Sequence, residues 1–322
     1  MHFFRHRRVL LTGGAGSIGG RLAAALLERG ATVLVLDDLS SGRREHVPEG
    51  CAFTRGDIAD AELVAHLFQA FHPEIIFHLA AHFAHANSLD HPVRDLETNA
   101  LGTLVLLEQA ARHGVERFVY ASSSCVLAPA NGPLAEDALP GGFETPYAIS
   151  KYVGEEYCRF YAHARAVPVT ILRYFNSYGP GDLPGPYRSV VPNFFRAALA
   201  GEPLTITGTG QETRDFTYVD DLCRGTLMAA EGARGTFELF HLGSGEAVTI
   251  NRLAQLINEL TGNPAGVTCL PRRPWDHTGD RRADISRAEA QLGYRPQVGL
   301  REGLARTLAW FRGQESALSA SK

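Results

Sequence analysis

Cysteine is scarce and scattered: Cys51, Cys125, Cys158, Cys223 and Cys269 are odd in number and include no Cys-x-x-Cys pair. That spacing excludes a disulfide framework and a compact zinc site, and reads as reduced structural thiols. Long apolar runs are missing as well. No segment approaches the ~18 apolar residues of a membrane helix, and the few residues before Val9 leave no room for a secretory leader. The expected location is therefore cytoplasmic, with no membrane as partner. Neither sign of charge dominates, since 31 Lys and Arg stand against 35 Asp and Glu for a net charge of -4. Such a chain has no basic field for nucleic acid, and Arg5, Arg7 and Arg8 are too short a cluster for a binding arm. Internal repeats and low-complexity stretches are absent.

What is present is a globular composition, 322 residues with 45% hydrophobic and 20% charged, enough for one extended domain or two interlocked ones. The apolar run Arg8 to Thr12 is followed at once by Gly13-Gly-Ala-Gly16-Ser17-Ile18-Gly19 and then by a helical run, Arg21 to Arg29. Strand, glycine turn and helix in that order bring backbone close to a pyrophosphate, with the free N–H groups of a helix N-terminus facing it. A second strand, Thr32 to Leu36, ends at Asp37, eighteen residues after Gly19. A carboxylate there accepts from a ribose 2′-hydroxyl and repels a 2′-phosphate, which points to NAD over NADP despite Arg43 and Arg44 nearby.

A strand from Ala52 to Arg55 precedes Asp57 and Ile58, which suit either an adenine edge or a helix cap. The run Glu74 to Ala80 is a further buried strand ending in the small residues Ala80 and Ala81. His82, His85 and His91 follow, but their spacing matches no zinc pattern and no metal site is expected. A helix over Pro92 to His113 carries Asn99 and Gly102, and a strand over Arg117 to Ala121 runs into Ser122-Ser123-Ser124. Next, Thr145-Pro-Tyr147-Ala-Ile-Ser-Lys151 opens a helix to about Ala164, with Tyr147 and Lys151 four apart on one face. A cation beside a phenol favours phenolate, and a phenolate is a usable base. Beyond the strand Val167 to Arg173 the regular alternation stops. Helices are expected over 190–200, 219–231, 249–261 and 300–312, strands over 204–207 and 237–242, and a disordered tail from about Gly313.

The fold class is α/β, a doubly wound parallel sheet with ligands at the carboxyl ends of its strands and a smaller C-terminal α/β part. The expected division is 1–173 with about 216–242 for the cofactor, and about 174–215 with 243–312 for a substrate.

The motifs GGAGSIG, DDLSSG, GDI, HLAA, the serine triplet, YAISK, RYFNSYGPG, TGTGQETRDFTYVDD and PRRPWD cover nearly the whole chain. Together they resemble the extended short-chain dehydrogenase/reductases, in particular the NAD-dependent nucleotide-sugar epimerase/dehydratases. The resemblance implies a bound NAD, a UDP-sugar or other nucleoside-diphosphate sugar as substrate, and a homodimer built through the two long helices. It implies a catalytic trio of Ser123, Tyr147 and Lys151. By the same resemblance Gly13, Gly16, Ser17, Ile18, Gly19, Asp37, Asp38, Ser41, Gly42, Asp57, Ile58, Leu79, Ala80, Ala81, Asn99, Ser122 and Tyr174 join Tyr147 and Lys151 around the cofactor. His82, Phe83, Asn87, Ser88, Ser123, Asn176, Val190, Arg214, Arg273 and Asp276 would hold the substrate, the two arginines on its diphosphate.

Relatives that dehydrate or decarboxylate carry an acid two places after that serine, and here the position is Cys125. The expectation is thus a 4-epimerase that takes the sugar through a 4-keto form. Leu127-Ala128 departs from the usual Tyr-Gly. The alternatives are another nucleotide-sugar reaction (decarboxylation, dehydration or reduction) or a catalytically silent NAD-binding protein, which would ordinarily lack the Tyr or Lys. The late loop 276–282 is where relatives distinguish sugars, and Arg281 and Arg282 there suggest an acidic one.

Overall fold

Seven apolar runs form one fully parallel sheet: β1 (Arg8–Thr12), β2 (Thr32–Asp37), β3 (Ala52–Arg55), β4 (Ile75–His78), β5 (Arg117–Ser123), β6 (Val169–Tyr174) and β7 (Phe237–Leu242). Their spatial order is β7-β6-β5-β4-β1-β2-β3. The computed structural model describes residues 3–128, 132–276 and 279–320, with side chains as far as 314.

Alternate residues of each strand feed two cores. Val9, Leu11, Val33, Val35, Ile75 and Phe77 pack into one. Leu10, Leu34, Leu36, Ile76, Phe118 and Ile171 pack into the other. A sheet buried on both faces needs such continuous apolar runs, and the crossover helices supply the cover. One of those helices, Ala61–Phe71, buries Val64, Leu67 and Phe68 at helical spacing and makes the crossover from β3 to β4. Its cap is Asp60, which accepts from the backbone N–H groups of Glu62 at 3.1 Å and Leu63 at 3.0 Å. Asp57 is therefore not that helix's cap; it closes its own turn, accepting from Ala59 N–H at 2.9 Å.

Strand order reverses between β1 and β4, so the crevice beyond their ends is the natural ligand position. The expected helix over 92–113 is three pieces: Pro92–Leu96, a π-helical turn over Glu97–Leu101, and Gly102–His113. The wide turn places Asn99 where its Oδ1 accepts from His82 N–H at 2.8 Å, and its Nδ2 donates to Asp95 at 2.9 Å and to Ser150 at 3.1 Å. π turns commonly mark functional sites.

Past β6 the chain builds a second lobe from short pairings. Asn176–Tyr178 pairs with Phe216–Tyr218, Leu204–Thr207 with Val267–Leu270, Thr213–Arg214 with Val248–Thr249, and Arg282–Ala283 with Pro133–Leu134. Asp215 knits this lobe together. Its fully buried carboxylate accepts from the N–H groups of Ser244 (2.7 Å), Gly245 (3.0 Å) and Ala283 (3.1 Å), and from the Ser244 hydroxyl (2.6 Å). The last helix runs over Leu300–Ala320, past Gly313. No proline or further glycine follows Gly313 to stop it. Among the described residues no helix is long and apolar enough to cross a membrane.

Candidate active site

β1 ends directly against the end of β4. Gly13 has φ +73°, and a Cβ there would lie 2.6 Å from Ala80 N, so only glycine fits. At Gly19 a Cβ would collide with Gly13 O, and at Gly42 it would come within 2.8 Å of Ala15. The helix Ser17–Glu28 starts from this turn with Gly16 as its N-cap and no side-chain cap, which leaves its first N–H groups for an anion. Asp37, at the end of β2, accepts from Ala15 N–H and Leu39 N–H, each at 2.9 Å. Burial raises its pKa, and those two hydrogen bonds oppose the rise. A carboxylate fixed in this way keeps lone pairs for ribose hydroxyls. The close backbone approach, the open helix N-terminus and the aimed carboxylate fit a dinucleotide.

From this cradle one cavity of about 890 Å³ extends across to the second lobe. It brings together Gly13, Gly16, Ser17, Ile18, Gly19, Asp37, Asp38, Ser41, Gly42, Asp57, Ile58, Leu79, Ala80, Ala81, Ser122 and Tyr174, with the trio Ser123, Tyr147 and Lys151. Asn99 does not line it; its amide fixes the backbone of His82, which does. Arg94 is a cofactor-end residue that no motif announced. Its guanidinium donates to Asp57 at 2.6 Å and to Asp38 at 3.1 Å, joining the loops after β2 and β3. A segment of the second lobe also reaches over the cavity: Tyr187 OH donates to Asp90 at 2.8 Å and Arg188 to Ser41 O at 2.6 Å.

At the catalytic end Thr145 is the N-cap of the helix Pro146–Arg165, and Pro146 takes its first position, as the sequence implies. Tyr147 and Lys151 are both buried on the inner face. The Lys151 ammonium sits 4.3 Å from the Tyr120 ring centroid, and burial lowers its pKa to about 8. Burial pushes the Tyr147 phenol well above its ordinary range; Cys125 and Asp95 push the same way and the Ser123 hydroxyl pulls it down. The protein's own groups therefore keep Tyr147 protonated, and the ammonium four residues on does not by itself make a phenolate. Ser122 and Ser123 divide their work. Ser122 donates to Glu155 at 2.5 Å, and Glu155 pairs bidentately with buried Arg173 at 2.9 and 2.7 Å. Ser123 accepts from Cys125 N–H at 3.3 Å and keeps its hydroxyl at the cavity wall. Burial raises the Cys125 thiol to about 11, so it is a neutral group.

Of the expected substrate residues, His82, Phe83, Ser123, Asn176, Val190, Arg214, Arg273 and Asp276 line the cavity. Asn87 and Ser88 do not line it. Both lie in the short helix His85–Asp90, where the fully buried Ser88 donates to His85 O at 2.8 Å and Asn87 donates to Phe83 O at 3.1 Å. Arg214 approaches Asp276 at 3.6 Å, and the Arg273 guanidinium lies 5.5 Å from the Trp275 ring. His85, one of the three histidines after HLAA, lines the cavity as well. Its Nδ1 bonds to the Thr145 hydroxyl at 2.8 Å, and its ring stacks on Trp275 and meets Tyr147 edge-on, both at 5.6 Å between centroids. Burial lowers its pKa to about 4, so it is neutral at pH 7. Arg281 lines the same end, while residues 277 and 278 of the loop expected to distinguish sugars lie outside the described residues.

The model of the NAD dependent epimerase/dehydratase family matches residues 9–243. A UDP-glucose 4-epimerase of Mycolicibacterium smegmatis is 37% identical over 314 residues, 95% of this chain and 99% of that protein. A UDP-N-acetyl-alpha-D-glucosaminuronate decarboxylase of Bacillus cytotoxicus is 33% identical over 323 residues, covering 96% of this chain and 99% of its own. Among solved structures, the UDP-glucose 4-epimerase of Thermotoga maritima with UDP-glucose superposes with a TM-score of 0.92 at 37% identity, over 96% of this chain and 99% of that one. With a cradle shaped for a dinucleotide beside a Ser-Tyr-Lys end, these likenesses make the chain a member of the NAD dependent epimerase/dehydratase family, an enzyme that uses NAD to modify nucleotide sugars.

Proposed function

We propose that the protein is a 4-epimerase of a nucleoside-diphosphate hexose, a UDP-hexose first among them. The observation that carries this reading is Cys125, a neutral buried thiol beside Ser123 at the position where dehydrating and decarboxylating relatives place an acid. No carboxylic acid stands there to protonate a hydroxyl leaving the neighbouring carbon. In this reading NAD, held by the glycine turn and Asp37, would supply a reversible hydride acceptor for C4 of the sugar, with no net redox change. Tyr147, brought to phenolate by Lys151 and the positive charge that a bound nicotinamide would supply, with its own proton lost to solvent, takes the proton of the 4-hydroxyl and gives it back. Ser123 hydrogen-bonds the same oxygen and fixes its distance from the phenol. Lys151, held over Tyr120, supplies positive charge as the phenol ionises. Arg214 and Arg273 bind the diphosphate by charge-assisted hydrogen bonds, with Asn176 and Asp276 on the nucleotide side.

The test is proton NMR of UDP-glucose, UDP-N-acetylglucosamine and UDP-glucuronate, each incubated with the NAD-loaded protein. A galacto isomer without net NADH supports the reading; carbon dioxide or a 4-keto-6-deoxy product overturns it. The same reading includes a homodimer. Val93 is 68% exposed, Leu96 54%, Ile149 47% and Phe160 54%, all on the helices 92–113 and 146–165. Such apolar side chains on two adjacent helices suit a bundle with a second copy. Light scattering that gives a monomer at micromolar concentration would sink that part.

A further inference from the structure

The Tyr147 phenol lies against two rings, Phe83 and His85, which meet it edge-on at 6.2 and 5.6 Å between centroids. His85 is held from three sides. Next to it Ala84 has φ +87° and ψ 138°, a backbone conformation that favours glycine. Strain of this kind persists only where the surroundings enforce it, and here it lies between the two side chains that meet one ring. The second support is Thr145, whose hydroxyl is 2.8 Å from His85 Nδ1. Thr145 is the N-cap of the catalytic helix, and a capping threonine ordinarily accepts from the first turn of its own helix. It makes no such bond, and its hydroxyl goes to the imidazole instead. The third support comes from the second lobe. Arg273-Pro274-Trp275-Asp276 is a turn closed by Asp276 N–H donating to Arg273 O at 3.1 Å, with proline at the second position that turns favour. The turn lays the Trp275 indole against the His85 ring, 5.6 Å between centroids and 26° between planes, and the Arg273 guanidinium lies 5.5 Å from the same indole.

We propose that His85 is a positioning residue for the acid-base phenol, and that Trp275 acts through it to join the turn carrying Arg273 to the catalytic helix. The inference rests on the reading above, in which Tyr147 exchanges a proton with the 4-hydroxyl. The phenol swings about its Cα–Cβ and Cβ–Cγ bonds, and an edge-on neighbour that is itself fixed limits that swing. A misplacement of ~1 Å at a reacting atom costs on the order of a hundredfold in rate. His85 therefore needs no contact with the sugar: it touches the Tyr147 ring and sets where the hydroxyl stands. Trp275 makes that setting depend on the second lobe. Its turn also carries Arg273, which the reading above places on the diphosphate, so the diphosphate and the phenol are tied to one four-residue turn. The benefit falls on turnover rather than on nucleotide affinity.

The experiment uses NAD-loaded wild-type protein, His85→Ala, Trp275→Ala, Trp275→Phe and the double variant His85→Ala/Trp275→Ala. Turnover of the UDP-sugar that the wild type converts best is followed by proton NMR, and binding of UDP by calorimetry. In both single Ala variants kcat is expected to fall at least tenfold, while the Kd of UDP stays within fivefold of wild type. Trp275→Phe, which keeps a ring on the imidazole, is expected to restore kcat to within threefold. The double variant is expected to match His85→Ala within threefold, since Trp275 acts through His85. Unchanged kcat in either single variant, a loss confined to UDP binding, or a double loss equal to the product of the two single losses overturns the proposal. Trp275 is half-buried on a turn, so its replacement removes no core side chain. A second measurement needs no turnover. The chain has two tryptophans, and Trp310→Phe leaves Trp275 as the only one. In that background its emission is expected to shift in His85→Gln, which still reaches Thr145 but offers no ring; identical spectra overturn the proposal. A shift without turnover of any UDP-sugar supports the link from Trp275 to His85 and sinks the 4-epimerase reading.

Discussion

The Arg94 guanidinium donates to the Asp57 carboxylate at 2.6 Å, which ties the start of the long helix to the loop after β3. The same side chain reaches Asp38, so two acidic residues at the adenosine end share one cation. Arg94→Ala leaves both carboxylates unbalanced beside Asp37. Because all three groups are partly exposed, the expected cost is moderate, a rise in the NAD Kd of about tenfold, or ~1.4 kcal/mol. Fluorescence titration of the stripped protein with NAD checks it, and turnover at saturating NAD is expected to recover.

Tyr147→Phe removes the hydroxyl and keeps the ring that packs against Phe83 and His85. Epimerisation is expected to fall by about 10²–10⁴ with NAD binding retained, the usual contribution of a positioned acid-base group. Turnover within threefold of wild type would remove Tyr147 from the mechanism.

Lys151 is costly to fold around. Burial lowers its pKa from 10.5 to about 8. Below pH 8 the amine is charged in both the folded and unfolded chain, and the folded state bears the full penalty. Between pH 8 and 10.5 the unfolded chain binds the proton that the folded chain has released, so stability rises with pH. Lys151→Met is therefore expected to stabilise the NAD-stripped protein by roughly 1–3 kcal/mol at pH 7, less by pH 10, while it impairs turnover. Urea denaturation of both proteins at the two pH values measures this; a variant less stable than wild type at pH 7 contradicts it.

Asp215 is a structural counterpart. Removing its carboxylate orphans buried N–H groups of Ser244, Gly245 and Ala283. Asp215→Ala is expected to destabilise by about 3–5 kcal/mol. A shift of the thermal midpoint by less than ~2 °C would show that the lobe does not depend on it.

The sheet and the cofactor end were legible because their signals are local: an apolar run, a glycine turn that sterics enforce at Gly13, and a carboxylate at the end of β2. The trio was legible once its motif was matched, but its electrostatics were not. Whether Lys151 ionises Tyr147 depends on burial, and burial is a tertiary quantity. Apart from Leu204–Thr207, the second lobe hid its strands, because two- and three-residue pairings such as Thr213–Arg214 with Val248–Thr249 have no period to read. Arg94 carries no motif at all. Its partners Asp38 and Asp57 lie far off in sequence. Asn87 and Ser88 show the converse, where the family resemblance implies a place against the substrate but the short helix His85–Asp90 leaves both out of the cavity lining.

The contacts of Tyr187 with Asp90 and of Arg188 with Ser41 stitch the second lobe to the sheet lobe across the cavity. Traffic into the site is thereby shared. Parting these two contacts frees the segment leading to Val190 from the loop after β2, so the two ends of the one cavity open together.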